Sequence, residues 1–335
     1  MSKNQSSSYE KINYSLRPGK AIERKIFCEA LGKLSHFSNF ENYRYIGFGS
    51  TYFSDFSLIH RRLGINDLIS IEMDSENSER FEFNRPFSCI STIFEHSNDA
   101  LPRLKWSDPT ILWLDYDYKL DRTMLQDINT FFTRAVPGSF FIISLNIRPD
   151  ESDKLDAKNL KKHRIEKLTH RVGREKLPAD INERNLGIKG NIDTIHEIIS
   201  DQINEILLSR NGLIDEDEEK INFEQIFNIY YRDGVPMLTI GGIIFQSKQR
   251  FIFDAAKFDE YPFTRNGAEP FEIIVPSLTF KEIYTLDELL PDQIDMQDGK
   301  IKEEAKTNLP TLKPEDIKEY SKIYRYFPRF AEANF

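Results

Sequence analysis

The chain has 335 residues, of which 39% are hydrophobic, 13% aromatic and 30% charged; this excludes a disordered polypeptide, because so many Phe and Tyr side chains must be buried to stay out of water. Its formal net charge of -9 excludes a surface that is basic throughout, as phosphate backbones demand, but leaves local basic patches, and so a nucleic-acid partner, open. No apolar run approaches the ~18–20 residues of a bilayer span, so no membrane partner is expected.

Met1 to Ser8 is polar and has no apolar core of a secretory signal, so the chain is expected in the cytoplasm. Residues 1–40 carry seven Lys/Arg against three Asp/Glu, a basic arm that points to a protein or polyanionic partner, set against the plainer reading of a solvated surface. Behind Arg17-Pro18-Gly19, the apolar positions Ile22, Ile26, Ala30 and Leu34 predict an amphipathic helix from Lys20. Tyr43 to Ile46 reads as a strand running into Gly47-Phe48-Gly49, after which Phe53, Phe56, Ile59 and Leu63 fall at helical spacing. Leu68 to Ile71, Cys89 to Phe94, Ile111 to Leu114 and Phe140 to Leu145 supply four more strands with helical stretches between several of them, the pattern of a parallel sheet. Residues 150–235 read as a charged helical insertion with a stripe at Ile195, Ile199, Ile203 and Ile206. Met237 to Phe245 and Arg250 to Phe253 are expected to form a hairpin around Gln246 to Gln249, and Phe271 to Val275 adds a further strand. Lys313-Pro314-Glu315-Asp316 starts a last helix with Ile317, Tyr320, Tyr324 and Phe327 on one face.

The chemistry points to the first strand-turn-helix. A Gly-x-Gly turn at the carboxyl end of a parallel strand removes side-chain bulk and offers backbone N–H groups to a ligand. The third glycine of a dinucleotide fingerprint is replaced by Tyr52, which disfavours a nicotinamide-dependent oxidoreductase. Glu72 ends the next strand, a little over the ~20 residues expected after the turn, where a carboxylate can grip ribose hydroxyls. Further on, Ile111-Leu112-Trp113-Leu114-Asp115-Tyr116-Asp117 delivers two carboxylates to the same edge. The six histidines show no ligand spacing, and Cys28 and Cys89 form neither a zinc nor a redox pattern.

The order of glycine turn, acidic strand end and later acidic strand resembles the class I S-adenosylmethionine-dependent methyltransferases over residues 40–147. The resemblance implies an α/β Rossmann-like fold: a mostly parallel seven-stranded sheet with an antiparallel edge, a helical insertion and helical termini. It implies S-adenosylmethionine as cofactor, with Gly47, Gly49 and Ser50 under its methionine part, Glu72 on the ribose and Asp99 near the adenine. Arg17-Pro18-x-Lys20, Glu82-Phe83-Asn84-Arg85-Pro86 and Tyr324-Arg325-Tyr326-Phe327-Pro328 are also similar to a bacterial group labelled "putative O-methyltransferases". Asp115-Tyr116-Asp117 departs from the Asp/Asn-Pro-Pro-aromatic signature of base-amine methylation, which favours oxygen as acceptor. A likeness to metal-dependent catechol-type enzymes makes Asp115, Asp117 and Lys119 the catalytic candidates and Asp115, Asp117 and Asn146 the ligands of a Mg²⁺ ion, against the alternative that the two aspartates cap the following turn and helix.

The expected organisation is a basic arm and helix (1–40), a Rossmann-like cofactor core (41–149), the insertion as a lid over substrate or partner (150–235), strands completing the sheet (236–280) and a C-terminal tail and helix (281–335). The function expected is O-methyl transfer to a small-molecule or macromolecular acceptor. The competing reading is a catalytically degenerate Rossmann-like assembly protein of a bacterial defence or toxin system, which needs surfaces but no open pocket.

Overall fold

A computed structural model describes residues 17–153, 155–305 and 312–328; residues 1–16 of the expected basic arm lie outside them. In chain order the elements are α1 (Pro18–Leu31), β1 (Arg44–Gly47), α2 (Ser54–Leu63), β2 (Asp67–Glu72), α3 (Ser78–Asn84), β3 (Ile90–Phe94), α4 (Ser97–Ala100), β4 (Thr110–Asp115), α5 (Arg122–Arg134), β5 (Phe140–Asn146), α6 (Ala157–Val172), α7 (Ile188–Asn211), β6 (Ile221–Asp233), β7 (Val235–Gln246), α8 (Arg250–Ala256), β8 (Phe271–Ile273), α9 (Phe280–Leu289) and α10 (Pro314–Ile323). They build one eight-stranded sheet in the order β3-β2-β1-β4-β5-β7-β6-β8.

The first five strands pair in parallel, β1 lying between β2 and β4. Their apolar runs are almost continuous because both faces are covered. On one face Tyr45, Ile111, Trp113 and Phe140 pack under Ile22, Ile26 and Phe27 of α1 and Phe56 and Ile59 of α2. On the other, Ile46, Leu112, Leu114 and Phe141 meet Ile128 and Phe131 of α5 and the Ile195, Ile199 and Ile203 stripe of α7. Asp121 caps α5 by accepting from the N–H groups of Thr123 (2.9 Å) and Met124 (3.1 Å). A third, smaller cluster joins α9 to α10 through Ile283, Leu286, Ile317 and Tyr320.

The far side of the sheet differs from the expectation in two places. Met237 to Phe245 lies in β7, but its hairpin partner is β6, joined through Gly234 at φ 82°; residues 221–233 of the expected helical insertion are therefore a strand. Arg250 to Phe253 belongs to a helix, because Gln246 and Gln249 form a reciprocal capping box that launches helical turns where a hairpin turn was expected. The antiparallel β7 fills the slot between β5 and β6, and β8 adds an eighth strand parallel to β6. Among the described residues no helix is long and apolar enough to cross a membrane.

Candidate functional site at the strand ends

Gly47 sits at the end of β1, level with Ser70 on β2 and Trp113 on β4. A Cβ on Gly47 would lie 3.0 Å from the Tyr45 hydroxyl and 3.1 Å from the Trp113 carbonyl oxygen; one on Gly49 would lie 2.7 Å from both the Phe53 ring and the Ser70 hydroxyl. The turn thus demands glycine for its own packing before any ligand arrives. It closes with Ser50 (φ 50°) and Phe53 (φ 46°) in the left-handed region, a conformation that costs about 1–2 kcal/mol for a residue with a Cβ. Phe53 is fully buried and its N–H donates to the Gly49 carbonyl (2.8 Å), which holds the strained backbone in place.

Glu72 flanks this turn from β2. Its Oε1 accepts from the Gly49 N–H (2.7 Å), the Ser50 N–H (3.0 Å) and the Ser70 hydroxyl (2.6 Å). Burial pushes the carboxyl up to about 7, against the pull of those three donors. Oε1 is taken up by those three donors, so Oε2 is the oxygen left for further hydrogen-bonding partners. Two ribose hydroxyls would supply them, so these residues fit the nucleoside part of S-adenosylmethionine.

Asp115 flanks the turn from β4, paired with the ammonium of Lys20. Lys20 Nζ, from the start of α1, lies 2.6 Å from Asp115 Oδ1 and 2.8 Å from Glu23 Oε2, and 4.6 Å from the centre of the Trp113 ring. Glu23 in turn accepts from the Thr239 hydroxyl, which donates from β7. Burial works against the Lys20 ammonium, and the facing carboxylates of Asp115, Glu23 and Asp55 more than offset it, leaving its pKa above the ordinary value. Asp233, at the tip of the β6–β7 hairpin, sets the start of α1 by accepting from the N–H groups of Gly19 (3.1 Å) and Lys20 (2.8 Å).

The other expected site residues separate. Lys119 pairs with Asp150 Oδ1 at 2.6 Å, beside Arg171 at 3.0 Å from Oδ2. Asn146 turns its amide oxygen to the Arg148 N–H (2.8 Å), and its amide nitrogen lies 3.4 Å from the Asp117 backbone carbonyl. With Asp115 Oδ1 on an ammonium and the Asn146 oxygen on a backbone N–H, the donor set does not fit Mg²⁺, which asks for uncommitted oxygens; nor is there, among the described residues, a group of three or more His, Cys, Asp or Glu able to hold a metal. Asp99 is exposed in α4. The buried polar knot beside it is made by Asn98 Nδ2, which donates to Asp127 Oδ1 (2.6 Å), and by Tyr116, whose hydroxyl donates to Asp127 Oδ2; Phe48 of the turn stacks edge-on against Tyr116 at 5.2 Å.

Lys20 and Glu23 were missed as site residues. Arg17-Pro18-x-Lys20 stands out in the sequence, but its partner lies 95 residues away, a separation that no local spacing encodes.

A family model described as "Putative O-methyltransferase" matches residues 12–335. No curated protein matches the sequence. Among solved structures, the N-methyltransferase NodS from Bradyrhizobium japonicum WM9, solved with S-adenosyl-L-homocysteine, is 10% identical over 66% of this chain and 87% of its own, with a TM-score of 0.36. An rRNA methylase from Streptococcus thermophilus is 8% identical over 66% and 96%, with a TM-score of 0.34. An MtNAS mutant is 9% identical over 36% of this chain, which spans only 44% of its length, with a TM-score of 0.28. All three scores are low, so the family match carries the assignment.

Proposed function

The chain belongs to the "Putative O-methyltransferase" family; from that premise we propose that it is a class I methyltransferase that moves the methyl group of S-adenosylmethionine to an oxygen of its acceptor, with Glu72 and Asp115 as the two working carboxylates. The observation that carries this reading is their placement: they close the carboxyl ends of β2 and β4, on either side of the glycine turn that ends β1. Two strand spacings separate them, ~10 Å, room for a nucleoside at one end and a reacting centre at the other.

Gly49 and Ser50 donate their backbone N–H groups to Glu72 Oε1, so the turn fixes the carboxylate and the carboxylate holds the ribose. The cofactor, when bound, supplies a methyl group already activated on a sulfonium. What remains for the protein is to align an acceptor oxygen and take its proton. Asp115 suits the second task. Its Oδ1 is fixed by Lys20, and of the three triad members it alone reaches solvent, at 16% side-chain exposure against 1% for Lys20 and 0% for Glu23. The acceptor hydroxyl proton passes to Asp115 as the O–CH₃ bond forms and the S–CH₃ bond breaks, its electron pair staying on sulfur. Lys119 and Asp117 take no part in this scheme.

The test is transfer of an isotopically labelled methyl group from S-adenosylmethionine into a metabolite extract by the purified protein. Label recovered in O-methyl ethers or esters, and absent with Asp115→Asn, supports the reading. Label recovered only on nitrogen would overturn the oxygen assignment.

A further inference from the structure

The charges behind Asp115 do not balance. Lys20 and Arg24 face three carboxylates, Glu23, Asp55 and Asp115: Lys20 is shared between Glu23 and Asp115, and Arg24 is bound to Asp55. Arg17 and Asp233 at the margin cancel each other, at 3.9 Å. Lys20, Glu23, Arg24 and Asp55 are buried and only Asp115 opens to the strand ends. Burial raises the Glu23 carboxyl, with Lys20 opposing the rise and Asp115 adding to it; the charge count itself rests on the ion pairs.

Two buried tyrosines adjoin the cluster. The hydroxyls of Tyr45 and Tyr231 are buried without a hydrogen-bond partner, on residues only 1% exposed. Tyr45 feels the charges of Asp55 and Asp115, and its hydroxyl lies against the place where a Gly47 side chain would be; Tyr231 feels Glu23 and Asp115. Tyr45 thus lies between the charged cluster and the glycine turn.

We propose that this carboxylate excess is a charge-selective subsite for the sulfonium: Asp115, backed by Glu23 and Lys20, favours the cationic S-adenosylmethionine over its neutral product, S-adenosylhomocysteine. The inference rests on the cofactor reading above. It also balances the reaction. Before transfer one positive charge on sulfur faces one excess negative charge on the cluster. Afterwards the sulfur is neutral, and the proton taken from the acceptor hydroxyl neutralises the cluster. The product then loses the electrostatic hold that its precursor enjoyed, which favours its release.

The experiment needs no acceptor. Dissociation constants for S-adenosylmethionine and S-adenosylhomocysteine are measured by calorimetry on the wild type, Asp115→Asn and Glu23→Gln. The homocysteine product serves as control for a folded pocket. Asp115→Asn is expected to weaken S-adenosylmethionine about tenfold relative to the product, since a charge removed at a few ångströms in a half-buried site has an effect of that order; Glu23→Gln, further back, shifts the same ratio about threefold. A ratio that stays within twofold of wild type in both variants overturns the proposal. Should Asp115→Asn bind neither ligand, Glu23→Gln decides alone by the same criterion. A wild type that binds neither ligand contradicts the cofactor reading instead, so the two failures are distinct.

Discussion

The two carboxylates that flank the glycine turn are held by opposite means. Glu72 is held locally: its three donors come from Gly49, Ser50 and Ser70, the first two from the turn and the last from its own strand. Asp115 is held by an ammonium from a helix 95 residues earlier in the sequence, and that helix is itself seated by Asp233, 213 residues beyond Lys20. A site wall built from neighbours can form with its strand-turn-helix unit. A site wall built from Lys20, Asp115 and Asp233 exists only once the whole sheet has closed, because those residues come from α1, β4 and the β6–β7 hairpin. The two halves should therefore respond differently to substitution.

The largest contrast is expected at Lys20. Lys20→Met leaves the buried Glu23 and the partly exposed Asp115 without their shared cation, and breaking a buried ion pair from one side costs about 3–5 kcal/mol. Urea denaturation reads this directly; a loss below about 1 kcal/mol would mean that the triad does not hold α1 to β4. The pH dependence of stability sharpens the Glu72 side. Its carboxyl is raised from 4.5 to about 7, so the native state binds the proton more tightly than the unfolded chain does. The stability this gives is fully present below pH 4.5 and is lost as pH rises toward 7 and beyond, by about 3 kcal/mol at one pKa unit per 1.36 kcal/mol. Glu72→Gln should flatten that part of the profile, whatever slope Glu23 and Asp127 contribute in common to both proteins. A wild-type profile that runs parallel to that of the variant would contradict the assignment. The smallest effect is expected at Asp233→Ala, which removes the acceptor for the Gly19 and Lys20 N–H groups; a lost helix cap costs ~1 kcal/mol. Thermal unfolding measures it, and a change within error would show that water replaces the cap.

Much of the local half is legible in the sequence. Gly47, Gly49 and Glu72 follow from a strand that ends in Gly-x-Gly and a next strand that ends in an acid, and α1 follows from the four-residue spacing of Ile22, Ile26 and Ala30. The two glycines, however, carry a packing demand from Phe53, Ser70, Tyr45 and Trp113 that the motif does not announce. The distant half is hidden for identifiable reasons. In β6 a bulge between Gln225 and Phe227 shifts the register, so that the consecutive residues Ile226 and Phe227 pack into the same core cluster and the alternation that marks a strand is broken. The pairing of Lys119 with Asp150, which Arg171 shares, is hidden too, because the meeting of residues from beyond β5 and from α6 depends on where the chain goes after the sheet.

The most direct test of the central claim, that the glycine turn and Glu72 form the S-adenosylmethionine site, is calorimetric titration of the wild type and Glu72→Ala with S-adenosylmethionine. Micromolar binding to the wild type, about −8 kcal/mol, that weakens a hundredfold or more in a variant still folded by circular dichroism is the predicted result. Equal affinity in the two proteins would contradict it and move the cofactor away from Glu72.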